Sequence, residues 1–241
     1  MASNNTILHR GYVERIQPNT KPVINDDQLK QVSLLFTDDL KGKETPGTVQ
    51  RDGENTEYQI NSLGFRGKEF TGKFGILGDS FVFGVGVDWC FAEQLDYDNI
   101  GVPATSNDAI VRRAMQYINK YPSCERLIVV WTYGYRKEWI TEECKPYEFK
   151  LKATLRSDKK DYYNLIDRAF ADLSNDYFDY YGWYKNQTLL QLFCESHNVD
   201  LFEFNNHSVP PMPFAFGADG KHPGQEWHDA MCKHISETVN A

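Results

Sequence analysis

The chain of 241 residues has no Cys-x-x-Cys pair and no apolar run approaching the length of a membrane span. Its start, MASNNTILHRGYVERIQ, lacks the charged-then-apolar pattern of a secretory leader. The five cysteines, at 90, 124, 144, 194 and 232, are odd in number. They fit neither a disulfide framework nor a zinc site, and point to free thiols in a reducing compartment. The expected location is therefore cytoplasmic, and release by another route, such as inside a virus particle, is compatible with it. Without secretion the Asn-x-Ser/Thr triplets at Asn4, Asn186 and Asn206 carry no meaning. Positive charge is also short: 26 lysines and arginines stand against 34 acids, a formal charge of −8. That field disfavours nucleic-acid phosphates and anionic membranes as partners. No internal repeat and no low-complexity tract is present.

What the chain does have is the composition of an ordinary globular protein, with 41% hydrophobic and 14% aromatic residues. Residues 1–57 are polar, with prolines scattered through PNTKP and KGKETPG and one helix-like piece near Asp26 to Leu35. They read as an N-terminal arm or small appendage, and residues 58–241 as one domain. The apolar run of KFGILGD, closed by Gly78, predicts a buried parallel strand. A short helix is expected over Trp89 to Leu95 and a second strand near Tyr97 to Gly101. Ser106-Asn107-Asp108 offers an N-cap to a helix running to Lys120, with Ile110, Val111, Ala114, Met115 and Ile118 on one face. RLIVVWTY, 126–133, is the strongest buried-strand candidate.

Residues 134–160 read as a loop-rich insertion, followed by helices near 161–173 and 183–197, a strand at Asp200 to Phe204 and a helix at Gln225 to Val239. Strand, helix and strand at these spacings form βαβ units, hence an α/β sandwich on four or five parallel strands.

Open parallel sheets carry their sites outside the carboxyl ends of the strands, and Ser80 of FGILGDSFVFGVGVD falls there. A serine hydroxyl needs a base to become a nucleophile, commonly a histidine oriented by an acid. ADGKHPGQEW sets Asp219 three residues before His222, in a glycine-rich loop ahead of the last helix. Such a loop can fold the carboxylate back onto one imidazole nitrogen and leave the other facing outward. It follows the last strand, on the same sheet edge as Ser80.

GDSFVFGVGV resembles the first signature block of the SGNH (GDSL-type) hydrolases, and DGKHPG resembles their last. INSLGFRG is similar to a segment preceding the serine in many members, and NIGVPATSND, 99–108, to their second block. The resemblance covers roughly residues 60–240. It implies a flavodoxin-like three-layer α/β/α fold, with Ser80 as nucleophile, His222 as base and Asp219 as its orienting acid. It further implies an oxyanion hole from the backbone N–H groups of Ser80 and Ala104. Alanine stands where the family usually has glycine, a change the N–H donor tolerates if the local φ is negative.

The family's third block usually carries Gly-x-Asn, its asparagine donating to the oxyanion. Here the sequence is VVWTYGYRKEW, with Tyr133 nearest the expected position and no asparagine between Asn119 and Asn164. Losing one such donor typically costs about 100- to 1000-fold in turnover. Thr132, Tyr133 or Arg136 are candidate replacements, or substrate contacts, since each donates hydrogen bonds. The plainer reading makes Trp131 and Tyr133 strand-end core and Arg136 a surface charge.

Other motifs fail on their own chemistry. GKEFTGKF, 67–74, has Phe74 where a phosphate loop needs Ser or Thr, and GVGVDW has Trp89 in place of a dinucleotide fingerprint's third glycine. His222, His228 and His234 recur every six residues, about 240° apart on a helix, so they cannot share a metal. No Gly-x-Ser-x-Gly elbow occurs. The aromatic stretch DYFDYYGWY, 176–184, suits a helix end packed on the core better than a sugar cleft.

The expected activity is hydrolysis of small acyl esters, with O-acetyl groups on carbohydrate among the candidates, and no metal or cofactor. A small-molecule or carbohydrate ester is the expected partner. Two alternatives stay open: a binding or structural protein on the same scaffold, and an acyltransferase using the same serine.

Overall fold

The structure, a computed structural model, describes residues 40–52, 56–140, 146–150, 176–206 and 215–241. The helices expected near Asp26–Leu35 and 161–173 lie outside the described residues. Strands β1 (Val49–Asp52) and β2 (Thr56–Gln59) pair antiparallel as a hairpin, which runs across the boundary drawn from composition at residue 57. Leu40, upstream of it, already belongs to the main core.

A four-stranded parallel sheet follows, from β3 (Phe74–Gly78), β4 (Asp98–Gly101), β5 (Arg126–Trp131) and β8 (Asp200–Asn205), in the spatial order β4-β3-β5-β8. The hairpin of β6 (Arg136–Ile140) and β7 (Pro146–Lys150) stands apart as its own two-stranded sheet. It occupies part of the stretch that reads as a loop-rich insertion. Its alternation of charged and apolar residues is short and interrupted, too weak a period to announce a strand.

Helices cover both faces, which is why the central strand is apolar without alternation. Leu127, Val129 and Trp131 of β5 pack on one side with α3 (Asn107–Lys120) and α4 (Asp176–Ser196). Ile128 and Val130 pack on the other with α1 (Ser80–Phe83), α2 (Phe91–Gln94) and α5 (Gln225–Val239). The result is a three-layer α/β/α sandwich with four parallel strands among the described residues. The Ser106 hydroxyl caps α3 by accepting from the Ala109 N–H at 3.2 Å, as its sequence suggests. Helix α4 begins at Asp176, seven residues before the expected start, and takes in the aromatic stretch. Trp183 packs on the core while Tyr180, Tyr181 and Tyr184 are exposed. Among the described residues no helix is long and apolar enough to cross a membrane.

The sheet order reverses direction between β3 and β5, the switch point at which such sheets open a crevice at their carboxyl edge. Ser80 follows β3 and Thr132 follows β5, one on each side of that point.

Candidate active site

Ser80 opens the short helix α1 directly after β3, and its turn is capped by Asp79, whose Oδ1 accepts from the Phe81 N–H at 3.0 Å. The loop after α1 is held from beneath by Arg66 of the GFRG segment. Its buried guanidinium donates to the carbonyls of Gly84 (2.6 Å), Val87 (2.9 Å) and Asp88 (2.8 Å) and pairs with Glu93 at 2.8 Å. The same guanidinium lies over the Tyr58 ring, and the Tyr58 hydroxyl accepts from the Gly86 N–H at 2.7 Å.

Gly86 is also where the two halves of the site meet. Its carbonyl accepts from the Ala218 N–H at 2.7 Å, and its φ is +82°. A side chain there would approach Asp219 Oδ1 to 2.9 Å, so glycine is required on both counts.

The 217–224 loop folds as its spacing suggests. Asp219 Oδ1 accepts from the N–H groups of Lys221 (3.1 Å) and His222 (3.0 Å), which turns the chain back on itself. Asp219 Oδ2 is then 2.6 Å from His222 Nδ1, and His222 Nε2 is 2.9 Å from Ser80 Oγ. The carboxylate only accepts, so Nδ1 carries the proton and Nε2 is left to accept from the serine hydroxyl. Burial alone would raise the Asp219 carboxyl. The His222 backbone N–H, the imidazole itself and the Lys221 N–H outweigh it and hold the carboxyl below its ordinary range. The edge of Phe81 meets the His222 ring, with centroids 6.0 Å apart.

Ala104 lies in the loop between β4 and α3. Its φ is +63°, which corrects the negative φ under which alanine stands comfortably for glycine. The N–H survives, but an L-residue held in this left-handed region costs about 1–2 kcal/mol. Neither the Ser80 nor the Ala104 N–H donates to another group among the described residues.

The three replacement candidates at the third strand end divide. Thr132 and Arg136 are not open donors and Arg136 is not a surface charge, because both are turned onto Asp79. Asp79 Oδ2 accepts from Thr132 Oγ1 at 2.6 Å and from Arg136 Nη1 at 2.7 Å. Asp79 is 0% exposed and Arg136 only 8%. A buried carboxylate requires such a partner, since removing one member of a buried pair typically costs about 3–5 kcal/mol. Tyr133 is 37% exposed rather than strand-end core, stacked on Tyr135 and lying against the Arg136 guanidinium. Burial, aided by Tyr135 and Asp79, raises its phenol, so it stays protonated. Trp131 alone of the set is core.

Two residues that sequence reasoning passes over complete this edge. Asn107 brackets Thr132, accepting from its N–H at 2.9 Å and donating to its carbonyl at 3.1 Å. Arg113 Nη1 donates to Thr105 Oγ1 at 2.6 Å, one residue past Ala104. Both sit on α3, whose apolar period hides them, although the helix buries four polar side chains, Asn107, Arg112, Arg113 and Gln116.

No family model matches the chain, and no curated protein matches it. Among solved structures, a crystal structure of a protein from Lactobacillus plantarum is similar with a TM-score of 0.35 and 13% identity. The match covers 72% of this chain and 98% of that one.

Proposed function

We propose that the chain is a serine ester hydrolase of the SGNH type, acting on small acyl esters such as O-acetyl groups on carbohydrate. The observation that carries this reading is the continuous hydrogen-bonded line from Asp219 through His222 to Ser80, at 2.6 and 2.9 Å. In the proposed reaction Ser80 Oγ bonds to the acyl carbon as its proton passes to His222 Nε2. The ester C–O bond breaks, and the departing alcohol takes that proton. Water then attacks the acyl-serine, giving one proton to Nε2, from which it returns to Ser80 Oγ as the free acid leaves. Asp219 holds the imidazole in the required tautomer and offsets its transient charge. The N–H groups of Ser80 and Ala104 are the proposed oxyanion donors.

The second reading, a scaffold that binds without catalysis, is favoured by the engagement of Thr132 and Arg136 with Asp79, which takes two of the three candidate donors away from the missing asparagine's place. A fluorophosphonate probe separates the two. The hydrolase reading expects labelling of Ser80 in folded protein and p-nitrophenyl acetate turnover that Ser80→Ala abolishes. No labelling, with turnover indifferent to Ser80→Ala, overturns it in favour of the binding scaffold.

A further inference from the structure

Ala104 sits in a backbone conformation that alanine adopts only under constraint, and its neighbours supply that constraint. The loop is pinned at the next residue. The Thr105 N–H donates to the Val102 carbonyl at 3.2 Å, Arg113 grips the Thr105 hydroxyl at 2.6 Å, and Arg136 Nη1 reaches the Thr105 carbonyl at 3.4 Å. That same Nη1 donates to Asp79 Oδ2 at 2.7 Å and to Thr132 Oγ1 at 2.8 Å. One nitrogen therefore touches three of the segments that form the site, all but the 217–224 loop: the turn bearing Ser80, the loop bearing Ala104, and the end of β5. Arg136 is itself anchored behind, because the Glu138 carboxylate two residues on is held by Arg112 of α3 at 2.7 and 3.0 Å. Strain that persists at a sheet edge only because its surroundings fix it is a mark of preorganisation.

We infer that Arg136 is a positioning residue for the proposed hydrolysis, tying the Ser80 turn to the Ala104 loop so that the two N–H donors are held against one point. This rests on the hydrolase reading. It assigns the arginine a role other than that of the absent asparagine: instead of donating to the oxyanion, it sets the separation of the backbone groups that do. A backbone oxyanion hole works only if its donors need no rearrangement when charge develops. Asp79 is the intermediary, since its other oxygen caps the turn that carries the nucleophile.

The test compares wild type, Arg136→Lys, Arg136→Met and the double variant Asp79→Asn/Arg136→Met. The readouts are the second-order rate of fluorophosphonate labelling at Ser80, kcat and KM for p-nitrophenyl acetate, and the melting midpoint. Arg136→Met alone leaves a buried carboxylate unpaired and is expected to lower the midpoint steeply. The double variant removes both charges and should recover most of that midpoint. Labelling and kcat in the double variant should nevertheless stay at least about 10-fold down, with KM within about threefold, because no group then ties the loops. Lysine can place one nitrogen near the same acceptors, so Arg136→Lys should label faster than Arg136→Met. A folded double variant that labels and turns over at the wild-type rate overturns the inference while the hydrolase reading stands. Wild-type protein that is not labelled at Ser80 overturns the hydrolase reading, and the inference with it.

Discussion

The Nε2 atom of His222 lies 2.9 Å from Ser80 Oγ, although the two residues are 142 apart in the chain. That separation is closed by the sheet: one residue follows its first parallel strand and the other the loop after its last. If the two act as a unit, Ser80→Ala and His222→Ala should each lower kcat/KM for p-nitrophenyl acetate by about three orders of magnitude or more. The double variant should be no worse than the poorer single one, because residues that share a step are not additive. Independent, multiplying losses would show that they do not share a step.

Asp219→Asn should keep the fold of the loop but reverse the hydrogen bond to His222 Nδ1, placing the imidazole proton on the wrong nitrogen. The expected fall in kcat is roughly 10⁴-fold, with little change in KM. The acid side of the stability profile offers a separate check. A carboxyl held below its ordinary value of 3.8 contributes stability above that value, and loses it as the pH falls through the lowered one. The asparagine variant should therefore lose less stability than wild type as the pH drops below about 4, measured by denaturant unfolding.

These residues were readable because each stands in a short, ordered motif. A strand ending in glycine places Ser80, and an Asp-x-x-His loop before a helix places its partners. The layers were readable too, since β5 is apolar on both faces and α3 keeps a clean helical period. What could not be read were relationships between motifs. Asp79 looks like a turn residue and Arg136 like a surface charge, and only the folded sheet brings them to 2.7 Å. The left-handed φ of Ala104 is equally hidden, because alanine gives no local sign of it. The β6–β7 hairpin has no strong strand pattern in sequence, and its Glu138 is tied to the fold by the tertiary pair with Arg112.

Ala104→Gly exposes that strain. Glycine takes φ of +63° freely but also gains freedom in the unfolded chain, so the net expectation is about 0.5–1 kcal/mol of added stability. In a protein of this length about 1 kcal/mol raises the melting midpoint by about 2–4 °C. The loosened loop should hold its N–H less firmly, so kcat should fall by about two- to fivefold. A lowered midpoint would mean that the alanine is not strained in solution.

His228 gives a pH signature of its own. Burial, with Arg66 nearby, pushes its imidazole down to about 3, and its Nδ1 accepts from the Phe91 N–H at 3.3 Å, which only the neutral ring can do. In the unfolded chain it titrates near 6.5, so between 6.5 and 3 the unfolded state binds the extra proton. Stability then falls as the pH drops through that window, by about 1.4 kcal/mol per unit. His228→Gln keeps an acceptor without a titrating group. Its unfolding free energy should be flatter between those limits, although lower at neutral pH for lost packing; an unchanged slope would contradict the buried neutral ring.

The guanidinium of Arg66 has a meaning for where the working unit of this chain begins. A fragment starting at Lys73 would retain every strand of the parallel sheet and each of Ser80, Asp219 and His222. It would lose the cation that gathers the carbonyls of Gly84, Val87 and Asp88, and with it the Tyr58 hydroxyl beneath Gly86. A piece meant to keep Gly86 against Ala218, and so His222 near Ser80, should therefore include the hairpin strand that carries Tyr58 and the segment that carries Arg66. The residues before the sheet are thus a foundation for the loop that follows Ser80.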